Sequence, residues 1–348
     1  MSGAAPQLLP SGTGLALVTG GLGFVGSNTA IALAQQGWRV RVADTLDPAC
    51  GGSATNLRGV PGTFDVQPLD VSDQAQCDAA VQGAQLVVHC AASISHGRSV
   101  REPLADIRAN CVATACVLDA VRRLAPEATV VHVSTTTQSG PLARVPADLR
   151  APDAPIDVYS ANRLAAERYA VIAHMVHGLR TVAVRLPNLY GPRACITSAQ
   201  LTFNNWFIGC ALRNQPITIW GDGAQRRSIM HVDDAVRALL AAAAGAVHGG
   251  SAHGGAAQAG AAAGRVLLAT PRGSVSVAEF AHAVVRAAGQ GRVEFTPWPA
   301  GRKQIDVGDA EFDPSETEQL LNWRAQVPLD EGLRRTVEHF RAADATPQ

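Results

Sequence analysis

The stretch "LALVTGGLGFVGSNTAIAL", residues 15–33, constrains this chain more than any other. Leu15–Thr19 is an apolar run of strand length, and Ser27–Gln36 has the spacing of a helix. Gly20, Gly23 and Gly26 stand between and at the start of that helix. A strand that feeds a helix through so short a turn needs residues without a Cβ. Gly20 permits the tight turn, Gly23 lets backbone N–H groups approach a pyrophosphate, and Gly26 lets helix and strand pack closely. The helix then turns its partly positive N-terminus toward an anion, with Phe24 and Val25 in the same turn.

The next predicted strand, Arg39–Ala43, runs into Asp44, about twenty residues beyond the glycines. A carboxylate there accepts a hydrogen bond from an adenosine ribose hydroxyl and repels a 2′-phosphate. No Arg follows it immediately. Both features select NAD over NADP.

Further apolar strands are predicted at Gln85–Cys90, Thr129–Ser134 and Thr181–Leu186, with helices over Asp106–Leu124 and Tyr159–His177. Strands spaced by helices make βαβ units. The expected fold is therefore α/β, a doubly wound parallel sheet (Rossmann) with a smaller α/β C-terminal substrate lobe. Residues 14–185 are expected to form the NAD-binding domain and 186–345 the substrate lobe, with segments near 217–235 returning to the first. In the second half, helices are predicted at Asn204–Arg213, Val232–Ala244, Val277–Ala288 and Asp330–Ala342, and a strand at Ile217–Trp220. Residues 1–13 read as a flexible tail and not a signal peptide, because they hold neither a basic segment nor a long apolar one. Residues 245–264 are Gly/Ala-rich and read as a loop; His248 and His253 fall in it, but no metal site is expected.

Hydrophobic residues make up 47% of the 348 and charged residues 17%, enough to build a large buried core. The net charge is zero and no basic stripe is present, which argues against a nucleic-acid binder. No window has the length and apolarity of a membrane span. The seven cysteines are odd in number and form no CxxC pair. Cys90, Cys111 and Cys116 lie in apolar runs and read as buried thiols, which suits a cytoplasmic location.

The spacing GxxGxxG resembles that of the extended short-chain dehydrogenase/reductase superfamily, and the resemblance covers nearly the whole chain. In that superfamily a strand ends in Ser or Thr, and a Tyr-x-x-x-Lys helix follows. Here "VVHVSTTTQSG" ends a strand and "VYSANR" follows. Thr135 matches the catalytic Ser/Thr, Gly140 the closing Gly and Tyr159 the catalytic Tyr. Three positions depart from the pattern. Arg163 stands where the family has Lys, and Gln138-Ser139 where it has Val-Tyr. The chemistry explains the pattern. An alcohol oxidised by NAD must lose its O–H proton as its hydride leaves. A free Tyr, with a pKa near 10, is too weakly acidic to serve as base at neutral pH. A cation one helical turn away stabilises the phenolate. Arg163 keeps that charge but replaces a compact ammonium with a planar fork. The resemblance also implies that Tyr159 and Arg163 hold the nicotinamide ribose and that Leu186 lies at the cofactor.

Other segments resemble the nucleotide-sugar epimerase/dehydratase branch. "PLDVSD" implies Asp70 and Val71 at the adenine. "VVHCAAS" implies Ala91 and Ala92 along the cofactor, with Ser93 at the substrate. "IRANCVAT" places Asn110 in the N-x-x-x-T helix at the cofactor. "RLPNLYGPR" matches R-x-x-N-x-Y-G-P-R, which implies Asn188 on the substrate's phosphates and Arg193 nearby. "IWGDGAQRRSIMHVDDAVRA" gives Arg227 the phosphate-binding position, with Ser228 where the family has Asp. Thr136 and Arg302 complete the implied substrate contacts. Arg suits a diphosphate because it binds oxygens bidentately and stays charged.

The 4,6-dehydratases of this branch carry Asp-Glu after the catalytic Thr, and uronic-acid decarboxylases a Glu in the same loop. Here those positions are Thr136 and Thr137. The expected function is therefore an NAD-dependent nucleotide-sugar epimerase, at C4, whose NAD is regenerated in each turnover. Its partner is a nucleotide-diphosphate sugar, and by resemblance it forms a homodimer. The alternatives are an NAD-binding protein with lost or altered catalysis, a dehydrogenase or reductase, and a dehydratase or decarboxylase of the same superfamily.

Overall fold

The computed structural model describes residues 14–247, 260–299, 303 and 306–344. The tail 1–13, His248, His253 and Arg302 lie outside the described residues. The first half contains β1 (Leu15–Thr19), α1 (Phe24–Gln35), β2 (Arg39–Asp44), β3 (Phe64–Pro68), α2 (Gln74–Val81), β4 (Leu86–His89), α3 (His96–Arg101), α4 (Pro103–Ile107), α5 (Ala113–Leu124), β5 (Thr129–Thr135), α6 (Val158–His177) and β6 (Arg180–Leu186). Then follow β7 (Asn188–Tyr190), α7 (Phe203–Leu212), β8 (Pro216–Trp220), β9 (Arg226–Arg227), β10 (Ile229–His231), α8 (Val232–Ala246), β11 (Val266–Leu268), β12 (Val275–Ser276), α9 (Val277–Ala288), β13 (Arg292–Thr296), α10 (Ser315–Leu321) and α11 (Leu329–Asp344).

Seven strands form one parallel sheet in the order β11-β6-β5-β4-β1-β2-β3. Both faces are covered. Ala16 and Val18 of β1 enter the core that includes residues of α1 and α8, and Leu17 enters the core with residues of α2 and α5. A strand buried on both faces reads as an unbroken apolar run, which is why β1, β4, β5 and β6 were predicted. Edge strand β3 is half exposed and carries Asp65 and Gln67, so no such run announces it. Three two-stranded pairs, β7 with β10, β8 with β13 and β9 with β12, lie outside the large sheet. Around them α7, α9 and α11 share a separate core on Phe207, Phe280 and Leu333. Strand β11, which sequence reading assigned to no element, rejoins the large sheet beside β6.

Two helices differ from expectation in ways that matter for the site. Helix α1 starts at Phe24, three residues before the predicted Ser27, because Gly23 takes an extended N-cap conformation inside the turn itself. The single helix expected over Asp106–Leu124 is divided. A wide π-turn at Arg108–Val112 separates α4 from α5 and contains Asn110. Such turns insert one extra residue and redirect side chains. No helix among the described residues is long and apolar enough to cross a membrane.

Helix α6 is anchored by charge. Tyr159, Arg163 and Glu167 recur at four-residue spacing and are 7%, 3% and 0% exposed, so the stripe that meets the sheet is polar. Glu167 accepts from Arg185 on β6 through both oxygens, at 2.7 and 2.9 Å, and from Ser134 at 2.8 Å and Gln138 at 2.5 Å. Arg185 also makes two bonds to Asp153, at 2.7 and 2.9 Å. The departure at Gln138 thus has a structural explanation: its amide completes the shell of a buried carboxylate. Arg185→Leu strands that carboxylate and should cost about 3–5 kcal/mol, read as a loss of unfolding free energy in a denaturant titration.

Candidate active site

The strand order of the large sheet reverses beside β1, and open parallel sheets bind ligands outside the carboxyl ends of their strands at such a point. A cavity of about 470 Å³ lies there. Its wall contains Gly20, Gly23, Phe24, Val25, Gly26, Asp44, Asp70, Val71, Ala91, Ala92 and Ser93. Eleven residues named from sequence, spread over the ends of β1 to β4, are brought together on one surface.

The glycines behave as steric physics requires. Gly20 sits at φ 61°, and a Cβ on it would come within 2.7 Å of the Ala91 backbone N. A Cβ on Gly26 would overlap the Gly20 carbonyl oxygen, so α1 packs against the turn only with glycine there. Asp44 is buried at the end of β2. Its two carboxylate oxygens each accept one backbone N–H, from Leu22 at 2.9 Å and Leu46 at 2.8 Å. A carboxylate has about four acceptor sites, so capacity remains for ribose hydroxyls. The glycine cradle and the fixed carboxylate fit a dinucleotide.

A second cavity of about 630 Å³ adjoins the first and shares Phe24, Val25 and Ala92 with it. Thr135, Tyr159, Arg163, Leu186 and Asn188 line it. Thr135 ends β5 and caps the following turn by accepting from Thr137 N–H at 3.3 Å. Burial pushes the Tyr159 hydroxyl upward in pKa, while the Arg163 charge and the Thr135 hydroxyl pull it down; the net shift is upward. Arg163 donates to the Val133 carbonyl and, at 3.5 Å, to Asn110 Oδ1. No carboxylate among the described residues forms an ion pair with Arg163. An unpaired buried cation is costly, so the charge favours an anion at Tyr159. The same charge acts on His89, whose pKa burial pushes down to about 3.

Other residues named from sequence lie off both walls. Asn110 is fully buried and donates to the Ser93 carbonyl at 3.1 Å and to Asp106 at 3.0 Å. Thr136 is buried, and Thr137 takes the wall position instead. Arg193 ties Asn28 to the Asn56 carbonyl, at 3.0 and 3.1 Å. Arg227 pairs with Asp306 at 2.6 Å, and Ser228 is buried beside it. Sequence reading missed His96, on the second cavity's wall, whose Nδ1 lies 2.6 Å from Asp157. The one available signal was a titratable residue inside "AASISH".

Residues 16–253 match the sequence pattern of the NAD dependent epimerase/dehydratase family. The chain belongs to that family. As a member, it uses NAD, and the first cavity carries a turn and a carboxylate that fit it. Curated relatives span its different reactions. A UDP-glucose 4-epimerase of Mycolicibacterium smegmatis is 30% identical over 93% of this chain and 98% of its own. A dTDP-glucose 4,6-dehydratase of Streptomyces niveus is 27% identical over 93% and 92%. The crystal structure of a Thermotoga maritima UDP-glucose 4-epimerase with UDP-glucose superposes with a TM-score of 0.81 at 26% identity, covering 94% of this chain and 99% of that one. The family of nucleotide-sugar epimerases, dehydratases and decarboxylases is thereby established for this chain.

The cradle sets a clear expectation for cofactor retention. Gly26→Ala should weaken NAD binding at least tenfold, roughly 1.4 kcal/mol or more. Asp44→Ala, which removes a charged acceptor, should cost about 1.5–3 kcal/mol. Acid release of nicotinamide from the purified variants, followed by calorimetric titration of NAD, checks both.

Proposed function

We propose that the protein is a nucleotide-sugar epimerase acting at C4 through a transient keto-sugar. The supporting observation is the composition of the second cavity's wall. It carries Tyr159, Thr135 and Arg163 beside the first cavity, and no Asp or Glu stands among the described residues that line it. Dehydration and decarboxylation in this family draw on acidic residues in the loop after the catalytic Thr, and Thr137 is a hydroxyl. Epimerisation at the oxidised carbon needs none.

In this reading Tyr159 takes the proton of the sugar hydroxyl and later returns it. Thr135 shares a hydrogen bond with the same oxygen, and Arg163 stabilises the phenolate by charge. Bound NAD accepts the hydride and gives it back, so no net NADH appears. Asn188, at the start of β7 on the same wall, is proposed to meet the substrate's phosphates. Asn110 is proposed as a positioning residue that orients Arg163, and Arg193 and Arg227 as braces of the surrounding loops. The competing reading, an NAD-binding protein without turnover, rests on Arg163, whose fork is already committed to Val133 and Asn110.

Incubation with UDP-, GDP-, CDP- and dTDP-sugars, read by NMR, separates the two. An inverted sugar with no net NADH supports the epimerase; retained NAD with every sugar unchanged favours the binding protein. Tyr159→Phe should lower kcat by about 10²–10⁴.

We propose further that two copies pair through α6 and the neighbouring helices. Ile172, Met175 and Val176 of α6 are 50%, 75% and 67% exposed, and Val112 and Leu104 are also exposed. A surface with this many large apolar groups favours association. Sedimentation should show a dimer, and Met175→Glu with Ile172→Glu should shift it to monomer.

A further inference from the structure

His96 is the N-terminal residue of α3 and lies on the wall of the second cavity. Its Nδ1 is 2.6 Å from Oδ2 of Asp157. Asp157 is itself fixed, because its other oxygen caps α6 by accepting from Ser160 N–H at 2.8 Å. Burial pushes the Asp157 carboxyl up, but its bond to His96, the His96 charge and the capping N–H outweigh it, and it stays ionised. A carboxylate accepts only, so Nδ1 carries the proton, and Nε2 is the ring nitrogen left to exchange one with a ligand. The imidazole packs edge-on to the Tyr159 ring, with centroids 4.9 Å apart and planes at 76°. Its side chain is 44% exposed in the open cavity. The carboxylate that holds the base would also stabilise the imidazolium formed when it accepts a proton. Tyr159 and Thr135 serve the alcohol oxygen, so a second base beside the phenol serves a neighbouring atom.

We propose that the His96–Asp157 dyad is a second proton-transfer group, acting on the carbon next to the sugar ketone. This rests on the reading that the second cavity holds the sugar. A ketone at C4 acidifies the C–H bonds at C3 and C5. His96 Nε2 takes one of those protons, and the C–H electron pair moves into an enolate whose oxygen receives hydrogen bonds from Tyr159 and Thr135. The imidazolium then returns a proton to the same carbon, and the ketone re-forms. Nothing is oxidised or reduced in this step. A single base returns its proton to the face it was taken from, so the step ends in proton exchange at that carbon. The protein thereby gains an activity beyond C4: proton exchange at the adjacent carbon.

The test supplies the ketone directly. The holoenzyme is incubated in D₂O with dTDP-4-keto-6-deoxyglucose, and deuterium at C3 and C5 is followed by NMR; a parallel sample with UDP-glucose reports inversion at C4. The wild-type protein should incorporate deuterium, His96→Ala should slow incorporation at least about a hundredfold, and added imidazole should restore much of it. Restoration by a diffusible base is not expected of a residue that merely packs against Tyr159. Equal incorporation by His96→Ala overturns the proposal. So does absence of incorporation by a wild-type protein that inverts UDP-glucose, which leaves the C4 reading standing. Absence of incorporation, with no sugar of the wider panel inverted, overturns both.

Discussion

The stripe of α6 that faces the sheet is the constraint around which this protein is arranged. A helix packed on a parallel sheet normally buries an apolar stripe. Here Tyr159, Arg163 and Glu167 occupy it, and each is answered separately. Glu167 is neutralised by Arg185 and bonded by Ser134 and Gln138. Arg163 is held by a carbonyl and by Asn110, whose place in a π-turn aims it inward. A fully satisfied buried polar network rigidifies the elements that carry it. The Glu167 end fixes α6 against β5 and β6, and the Tyr159 end inherits that register.

Two ligand cavities meet because of sheet topology. The crevice at the strand-order reversal receives the loops after β1, β2, β3 and β4, which explains how residues from Gly20 to Ser93 share one wall. The loop after β4 serves both cavities, so Ala92 lies on the shared boundary and His96 on the second wall alone. The two cavities are thus neighbours through shared residues of α1, of the loop after β4 and of the segment before α7. Arg163 lines the second cavity, and no carboxylate among the described residues forms an ion pair with it.

Legibility followed burial and locality. The central strands could be read because covering both faces of a parallel sheet demands continuous apolar runs; β3, half exposed at the edge, had no such signature. The residues that line the first cavity were legible because they stand at short spacings within one turn or at one strand end. Arg193 and Arg227 were legible as charged positions in recognisable segments. Whether a guanidinium faces a ligand or a neighbouring loop depends on partners far along the chain. Asp306 is 79 residues from Arg227, and Asn28 is 165 from Arg193. His96 escaped for the same reason, since its partner Asp157 lies 61 residues away.

By itself, the sequence determined the strand–glycine–helix turn and the alternation that makes a parallel sheet; the Thr135–Tyr159–Arg163 grouping came from the family resemblance. The first is set by local sterics and the second by periodicity, and neither depends on distant residues. Only the tertiary structure decided which side chains share a wall and which buried charges are paired. Pairing is a property of three-dimensional proximity: Arg185 neutralises Glu167, while no carboxylate among the described residues pairs with Arg163. That difference separates a structural anchor from the charge proposed to act in catalysis on the same helix.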